Sequence, residues 1–428
     1  MTTATPSEQD QQFPPKSTFS IENLRAFEAK STIELSRINL VFGANSSGKS
    51  TLGRAMLALA QLQDYASIHR LTTTPKRLSS RIFPGRASRT NALENCFGSR
   101  METLSFANNH EPITISISTE DYEHDSPGGD TKVEFTLNPS RAHPLNTVEL
   151  SSEDMTIATW SEQKTELLDI GALYIKDANH DRKSALRGTI DLQGTIGFPN
   201  ERELASGSGL IRAADIAREV ISYGLGSPPK YGFDRDVAGE LKRLNTNPAS
   251  VNQLIKSMGA NVRIANPRAS DTSQLFDEAS GLLLGLDQVG SGIGQLIAVA
   301  ARLDRAKTAS RNLKGFGSGR FPFLLIQEPE AHLHPLKQAE IGEMLCREAI
   351  RSPMRLVIET HSDALLFRCL KLIRRGELSH NLLRVVFVEQ DASGRSTARN
   401  LQVGSDGSLL DPFPIGFLDW GLEDLIGQ

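Results

Sequence analysis

Alternation between hydrophobic and polar residues predicts strands in the first third of the chain. Residues 19–24 and 33–35 alternate in polarity, as edge strands do, and lead into an apolar run at 38–42. Residues 113–117 and 133–137 alternate too, on either side of a polar stretch that contains Pro and Gly. We expect this later pair to form a hairpin with a long loop, within an antiparallel sheet.

Continuous apolar runs predict a second sheet in the last third of the chain. The runs at 323–326, 356–358 and 385–388 suit strands that are buried on both faces. Helical patterns separate them, and one of these begins at Pro335, a residue favoured in the first helical turn. Between the two β regions, apolar residues that include Ile221 recur at helical spacing. Together these patterns predict an α/β fold with an antiparallel β lobe, a mostly parallel core sheet and a helical insertion.

The changes of pattern divide the chain into four predicted segments. Residues 1–17 are polar and rich in Pro, Gln and Thr, which predicts a disordered tail. Residues 18–200 are expected to form the first half of the α/β domain with its β lobe. A helical subdomain is expected at 201–280, and the second half of the α/β domain at 281–428.

Composition and cysteine usage narrow the class of protein. The 428 residues are 39% hydrophobic and 23% charged, which is typical of a globular protein with two or three domains. No apolar stretch is long enough to span a membrane, and residues 1–17 lack the apolar core of a signal peptide, so we expect a cytoplasmic protein. Cys96, Cys346 and Cys369 are widely spaced and are expected to be buried free thiols.

The net charge of −4 argues against general coating of nucleic acid, but two stretches are locally basic. One lies between residues 51 and 100 and includes Arg81, Arg86 and Arg89, and the other covers 302–320. These patches suit either a contact with DNA phosphates or a solvated face, and the sequence favours neither.

Residues 43–50, Gly-Ala-Asn-Ser-Ser-Gly-Lys-Ser, form a complete phosphate-binding loop between a strand and a helix. Backbone N–H groups and the helix N-terminus can bind phosphate there, with Lys49 adding charge and Ser50 a hydroxyl for magnesium. An accidental Gly/Ser turn is the alternative. The loop predicts binding of a nucleoside triphosphate through Gly43, Asn45, Ser46, Ser47, Gly48, Lys49, Ser50 and Thr51.

Two later strands end in residues that suit hydrolysis. The apolar run at 323–326 leads into Glu328, a candidate general base, with Glu330 beside it. The run at 356–358 leads into His361, a candidate sensor of the terminal phosphate. Solvated acids and a structural histidine are the alternatives.

A third element is the glycine-containing segment 290–295, which precedes an apolar helix. Ser291, Gly292 and Gln295 would form a second anion-binding helix end, unless the segment is only a flexible turn. Because one chain needs one phosphate cradle, a second suggests contact with the nucleotide of a partner subunit.

These elements resemble the ATP-binding-cassette ATPases, and within them the "overcoming lysogenization defect"-like branch. The resemblance rests on 43–50, on 290–295, on Glu-Pro-Glu-Ala-His-Leu-His-Pro at 328–335 and on Glu-Thr-His-Ser at 359–362. It covers roughly residues 19–428, and the middle matches least. It implies a homodimer, or a higher homo-oligomer, with ATP and magnesium held between the loop of one subunit and the 290–295 segment of the other.

The chain departs from this pattern at two places. Gln327 stands where the resemblance implies a magnesium-ordering acid. The residues expected to bind magnesium are therefore Ser50, Gln327 and Glu328, and ATP turnover is expected to be slow. Residues 362–428 are too short for the nuclease domain that some family members carry, so cleavage would need a partner protein. The sequence does not identify the glutamine loop of this family, for which Gln193 is a candidate.

His332 and His334 form a His-x-His pair, which recurs in metal sites. No third ligand follows at a matching spacing, and the resemblance implies a dimer-interface role instead.

The leading hypothesis is a switch ATPase that closes around ATP and gates a nuclease or toxin in anti-phage defence or DNA repair. A weakly hydrolysing scaffold that holds an effector is the second hypothesis. The motor subunit of a transporter is the third, and the atypical 290–295 segment disfavours it.

Overall fold

The computed structural model of the chain describes residues 17–67, 97, 103–119, 131–138, 145–152, 155–161, 165–166, 221–222, 248–265, 274–285, 288–289, 291–313, 323–331, 333–352 and 354–412. Several predicted features lie outside the described residues: the tail up to residue 16, Arg81, Arg86, Arg89, Cys96, Gln193 and His332.

The strands are β1 (Ser17–Glu22), β2 (Ser31–Leu35), β3 (Ile38–Gly43), β4 (Ile113–Thr119), β5 (Thr131–Leu137), β6 (Leu145–Ser152), β7 (Met155–Ser161), β8 (Thr165–Glu166), β9 (Ile221–Ser222), β10 (Val262–Ile264), β11 (Gln274–Asp277), β12 (Leu283–Gly285), β13 (Phe323–Gln327), β14 (Arg355–Glu359), β15 (Leu383–Gln390) and β16 (Ser396–Leu401). The α-helices are α1 (Lys49–Ser67), α2 (Pro248–Ser257), α3 (Ser291–Leu313), α4 (Pro335–Arg351) and α5 (Asp363–Arg374). Short 3₁₀ turns cover Phe106–Asn108 and His380–Leu382.

The core sheet has the strand order β16-β15-β3-β14-β13-β9. Five of its six described strands run parallel, namely β15, β3, β14, β13 and β9. The sixth, β16, pairs antiparallel with β15 at one edge. Every residue of β3 and β14 is buried, as the continuous apolar runs predict. The mostly parallel core sheet is therefore confirmed.

Helices cover both faces of this sheet. Because successive side chains of a strand point to opposite faces, each strand contributes to the packing on both sides. On one face Ile38, Leu40 and Phe42 of β3 belong to a buried cluster with residues of α2, α3, α4 and α5. On the other face Val41 belongs to a second cluster that contains residues of α1 and of the β lobe. The phosphate-loop strand thus lies between two hydrophobic cores.

The β lobe is a seven-stranded sheet in the order β2-β1-β4-β5-β6-β7-β8, with all neighbours antiparallel. Strands β4 and β5 pair from Ile113↔Leu137 to Thr119↔Thr131, so the predicted hairpin is confirmed. Strand β2 is an edge strand as expected. The expectation of an edge position is wrong for β1, because β4 pairs with its second side.

The segment predicted as a helical subdomain at 201–280 contains helix α2, but also strands. Strands β10, β11 and β12 form a small antiparallel sheet, of which two lie before residue 280. Ile221, assigned to a helical pattern, lies in β9 and pairs with Ile326 of β13. Strands of two to four residues are too short to show alternation, so the sequence pattern missed them.

Helices α4 and α5 bring two cysteines together. Cys346 and Cys369 are buried free thiols with their Sγ atoms 3.2 Å apart, as expected for both. None of the helices in the described ranges combines the length and the hydrophobicity that crossing a membrane requires.

Candidate functional site

The strand order brings three sequence-predicted segments to one edge of the core sheet. Strand β14 lies between β3 and β13, and Glu359 at its end pairs in register with Val41 on one side and Gln327 on the other. Because the carboxyl ends of parallel strands share an edge, the residues that follow the three strands meet there. The loop 43–50, Glu328 and His361 therefore lie in one site.

The loop 43–50 depends on backbone conformations that its glycines supply. Gly43 has φ +153°, and a Cβ atom there would overlap the carbonyl oxygen of Val388. Gly48 has φ +107°, and a Cβ would lie 3.0 Å from the ring of Phe27. The Ser47 carbonyl accepts a hydrogen bond of 2.6 Å from the Ser396 hydroxyl. Residues 44–46 at the tip are exposed, so a ligand can reach them.

Lys49 is the first residue of α1, and its side chain returns over the loop. Its Nζ donates hydrogen bonds to the carbonyls of Gly43 at 2.8 Å and Ala44 at 2.7 Å. Burial lowers the pKa of the Lys49 ammonium, while the charges of Glu359, Glu328 and Glu330 act in the opposite direction. The ammonium and the three carboxylates therefore share one electrostatic environment.

Glu359, to which the sequence analysis gave no role beyond the 359–362 motif, is the most buried acid of the site. It is 2% exposed and accepts hydrogen bonds from the Ser50 hydroxyl at 2.8 Å and the Gln327 amide at 2.9 Å. Burial raises the pKa of this carboxyl group, and the two hydrogen bonds oppose that shift. An acid directly after the apolar run at 356–358 was the available signal.

The residues around Ser50 fit a magnesium ion. A hydroxyl and a carboxylate lie side by side, and these hard oxygen donors suit magnesium when substrate phosphate supplies further ligands. Within the described ranges, no group of three or more His, Cys, Asp or Glu residues could hold a metal ion by itself.

Helix α1 leaves room for the Glu359 carboxylate through Gly53. A Cβ atom at this position would overlap Oε1 of Glu359 and lie 2.9 Å from Leu325 Cδ1. Glycine in a helix interior costs about 1 kcal/mol relative to alanine, so its presence needs such a reason.

Replacing Gly53 by alanine should destabilise the protein although alanine is the better helix former. Overpacking costs about 1–3 kcal/mol, which exceeds the gain of about 1 kcal/mol in helix propensity. Thermal unfolding of Gly53→Ala without nucleotide measures the net change in stability from these two opposing effects. Combining it with Glu359→Ala should cost less than the two single changes added together. A stabilised Gly53→Ala protein would contradict this packing.

Glu328 is held in an unusual backbone conformation at the end of β13. Its φ is +47°, a left-handed value that costs a non-glycine residue about 1–3 kcal/mol. Its N–H donates to the Glu359 carbonyl at 2.7 Å, and its carbonyl accepts from the Gln295 amide at 2.7 Å. These bonds fix the backbone, while the side chain remains 34% exposed and accessible to water.

Glu330 and His361 have different environments, although both were predicted as catalytic. Glu330 is buried, and its carboxylate accepts a 2.6 Å hydrogen bond from the His361 backbone N–H. Burial raises the pKa of Glu330, against the effect of its hydrogen bonds. The His361 ring lies 3.9 Å from a Glu328 oxygen, and burial and the Lys49 charge lower its pKa. The neutral imidazole is therefore favoured.

The predicted second anion-binding element begins helix α3 at Ser291. Gln295 is 3% exposed and donates to the Glu328 carbonyl, so it connects α3 to the end of β13 within this subunit. Its predicted contact with a second subunit's nucleotide stays a prediction, as do those of Ser291 and Gly292. His334 caps helix α4, with its Nδ1 accepting from the Leu336 N–H at 3.3 Å.

A phosphate loop beside acids and a histidine at one edge of a parallel sheet defines a P-loop NTPase. The family model described as "AAA domain, putative AbiEii toxin, Type IV TA system" matches residues 38–366. The chain therefore belongs to this family of AAA-type P-loop ATPases. No curated protein matches the chain.

Solved structures to which this chain is similar include three heads of SMC proteins. The SmcHead bound to the C-winged helix domain of ScpA is 15% identical, with 91% of this chain and 98% of that chain covered and a TM-score of 0.43. The SMC head domain from Thermotoga maritima is 13% identical, with 91% and 100% covered and a TM-score of 0.41. The Pyrococcus furiosus Smc head, bound to the C-terminal domain of ScpA, is 13% identical, with 91% and 96% covered and a TM-score of 0.44.

Proposed function

We propose that this protein is a cytoplasmic ATPase switch that closes as a homodimer around ATP and reopens after hydrolysis. Its motion would gate a nuclease or toxin partner in anti-phage defence or DNA repair. The observation that carries the proposal is the meeting of Lys49, Ser50, Glu328 and His361 at one sheet edge.

Each side chain has a chemical role that its environment supports. Lys49 would exchange its bonds to two loop carbonyls for bonds to phosphate oxygens, which are stronger because both partners are charged. The exposed carboxylate of Glu328 would accept a proton from the attacking water. The neutral His361 imidazole beside it would donate a hydrogen bond to the terminal phosphate. Magnesium, when bound, would neutralise charge on the phosphates.

Glu330 supports this arrangement without touching substrate. Its buried carboxylate holds the backbone N–H of His361 and thereby sets the position of the imidazole. We therefore assign Glu330 as a positioning residue in the proposed mechanism, and Glu328 and His361 as the groups that act on substrate.

The homodimer is a separate part of the proposal. A helix start at Ser291 with glycines around it would bind the phosphates of the second subunit's ATP. ATP would then bind the closed state better than the open state, which is what a switch requires. The name of the family describes the AAA domain itself as a putative toxin of a type IV toxin–antitoxin system, so the separate nuclease or toxin partner rests on the resemblance alone. DNA contact through Arg81, Arg86 and Arg89 is a further proposal.

ATP should convert Glu328→Gln, a variant expected to retain its nucleotide, from monomer to dimer in analytical ultracentrifugation. The same variant with Ser291→Arg should stay monomeric, because the larger side chain would block the second helix end. Without nucleotide both proteins should sediment alike. A Glu328→Gln protein that stays monomeric at saturating ATP would contradict the proposed dimer.

A second candidate function is an ATP-bound scaffold with little hydrolysis. The neutral Gln327, at the end of the strand that precedes Glu328, favours it, because an amide adds no charge beside a magnesium ion. Steady-state phosphate release by the wild-type protein separates the two functions.

A further inference from the structure

We infer that Glu359 supplies the carboxylate of the magnesium site. It would replace the acid that is expected at position 327, where this chain has glutamine. The charge would thus lie at the end of β14 rather than at the end of the neighbouring strand β13. This inference rests on the proposed function, since it concerns the ion that accompanies ATP.

The first observation is the position of the Glu359 carboxylate against the phosphate loop. One of its oxygens accepts the hydrogen bond of the Ser50 hydroxyl at 2.8 Å. Ser50 is the loop residue whose hydroxyl the motif assigns to magnesium. A carboxylate in contact with that hydroxyl is placed to bind the ion's water shell or the ion itself.

The second observation is the direct pairing of the two strand ends. Gln327 and Glu359 are partners in the parallel register of β13 and β14, and the Gln327 amide donates to the other carboxylate oxygen at 2.9 Å. The amide therefore orients the carboxylate from the position where the acid is expected. Gln327 acts as a positioning residue, and its neutrality does not leave the site without a negative charge.

The third observation is the space that the fold reserves for this carboxylate. Gly53 lies in α1 one turn beyond Ser50, where any Cβ atom would overlap Glu359 Oε1. The carboxylate is also 2% exposed, and the cost of burying its charge is offset by two neutral donors and by the charges of Arg54 and Lys49. A dication beside it would offset more of that cost. A purely structural acid would gain nothing from magnesium.

The test compares ATP affinity with magnesium and with EDTA, by calorimetric titration of ATP into the purified protein. In the wild type, magnesium should strengthen ATP binding, and the ratio of the two affinities is the magnesium gain. In Glu359→Gln this gain should fall by about 10–100-fold, the usual effect of losing a group that orders a metal site. The affinity in EDTA should stay close to that of the wild type, because the loop and Lys49 remain.

Two further variants make the result specific. Glu111→Gln removes an exposed acid outside the site, with the same change of charge, and should keep the magnesium gain. The exchange Gln327→Glu with Glu359→Gln returns a carboxylate to the neighbouring strand and should restore much of the gain. Thermal unfolding without nucleotide checks that each variant is folded, and the exchange variant carries the test should Glu359→Gln fail to fold.

The outcomes distinguish this inference from the proposed function. A wild-type protein that binds no ATP overturns both. If the wild type binds and hydrolyses ATP but Glu359→Gln keeps the full magnesium gain, only the assignment of Glu359 is wrong. An equal loss of the gain in Glu111→Gln would also overturn it, because the effect would then not be specific to Glu359.

Discussion

Replacing Glu328 by glutamine is expected to slow ATP hydrolysis by about 10²–10⁴-fold, the usual contribution of a general base. The amide keeps the size of the side chain but cannot accept the proton of the attacking water. The backbone bonds that hold Glu328 in its left-handed conformation do not involve the side chain, so the fold of the site should be unchanged. Steady-state phosphate release measures the rate.

ATP binding provides the internal control for this variant. Because the loop and Lys49 are intact, the affinity of Glu328→Gln for ATP should stay within about threefold of the wild type, well below 1 kcal/mol of binding energy. Equal rates of phosphate release in the two proteins would exclude Glu328 as the base. A wild-type rate already as low as that of the variant would favour the scaffold function.

The second large effect is expected from Lys49→Ala. Its ammonium makes two hydrogen bonds to the loop now and would make charge-assisted bonds to phosphate in the complex. Bonds to charged groups contribute about 1.5–3 kcal/mol, so ATP should bind about 10–100-fold more weakly. Turnover should fall further, since the same charge stabilises the transferring phosphate. Calorimetric titration of ATP measures the affinity.

Lys256 offers a matched control, because it is an exposed lysine near the end of α2, in a different part of the fold. Lys256→Ala should bind ATP as the wild type does. If Lys49→Ala also retains wild-type affinity and rate, the loop 43–50 does not bind the nucleotide.

The sequence predicted the loop, the acids after β13 and the histidine after β14 because each of these signals lies in one continuous segment. Residues 43–50 carry their own context, a strand before and a helix after, and strands buried on both faces appear as apolar runs. The same locality explains why Glu328 and His361 could be named, since each lies within three residues of the end of such a run.

Glu359 could not be assigned a role in the same way. Its importance depends on β14 lying between β3 and β13, and strand order is a long-range property that no local pattern shows. The role of Gly53 was hidden for the same reason, since only the packed carboxylate explains a glycine inside α1. The sequence therefore showed only that position 327 lacks an acid, whereas the strand register shows that Glu359 lies beside it.

The short strands were missed for a different reason. Strands β10 to β12 have three or four residues each, and β9 has two, so pairing with neighbours rather than local pattern determines them. The predicted helical insertion is therefore partly a β structure in the described ranges.

A crystal structure of Glu328→Gln with ATP and magnesium would test the assembled site most directly. We expect the phosphates to contact the backbone of residues 43–50 and Lys49, with residue 328 and His361 facing the terminal phosphate. Glu359 and Ser50 should lie at the magnesium ion. A nucleotide bound elsewhere, with residue 328 remote from its phosphates, would contradict the account.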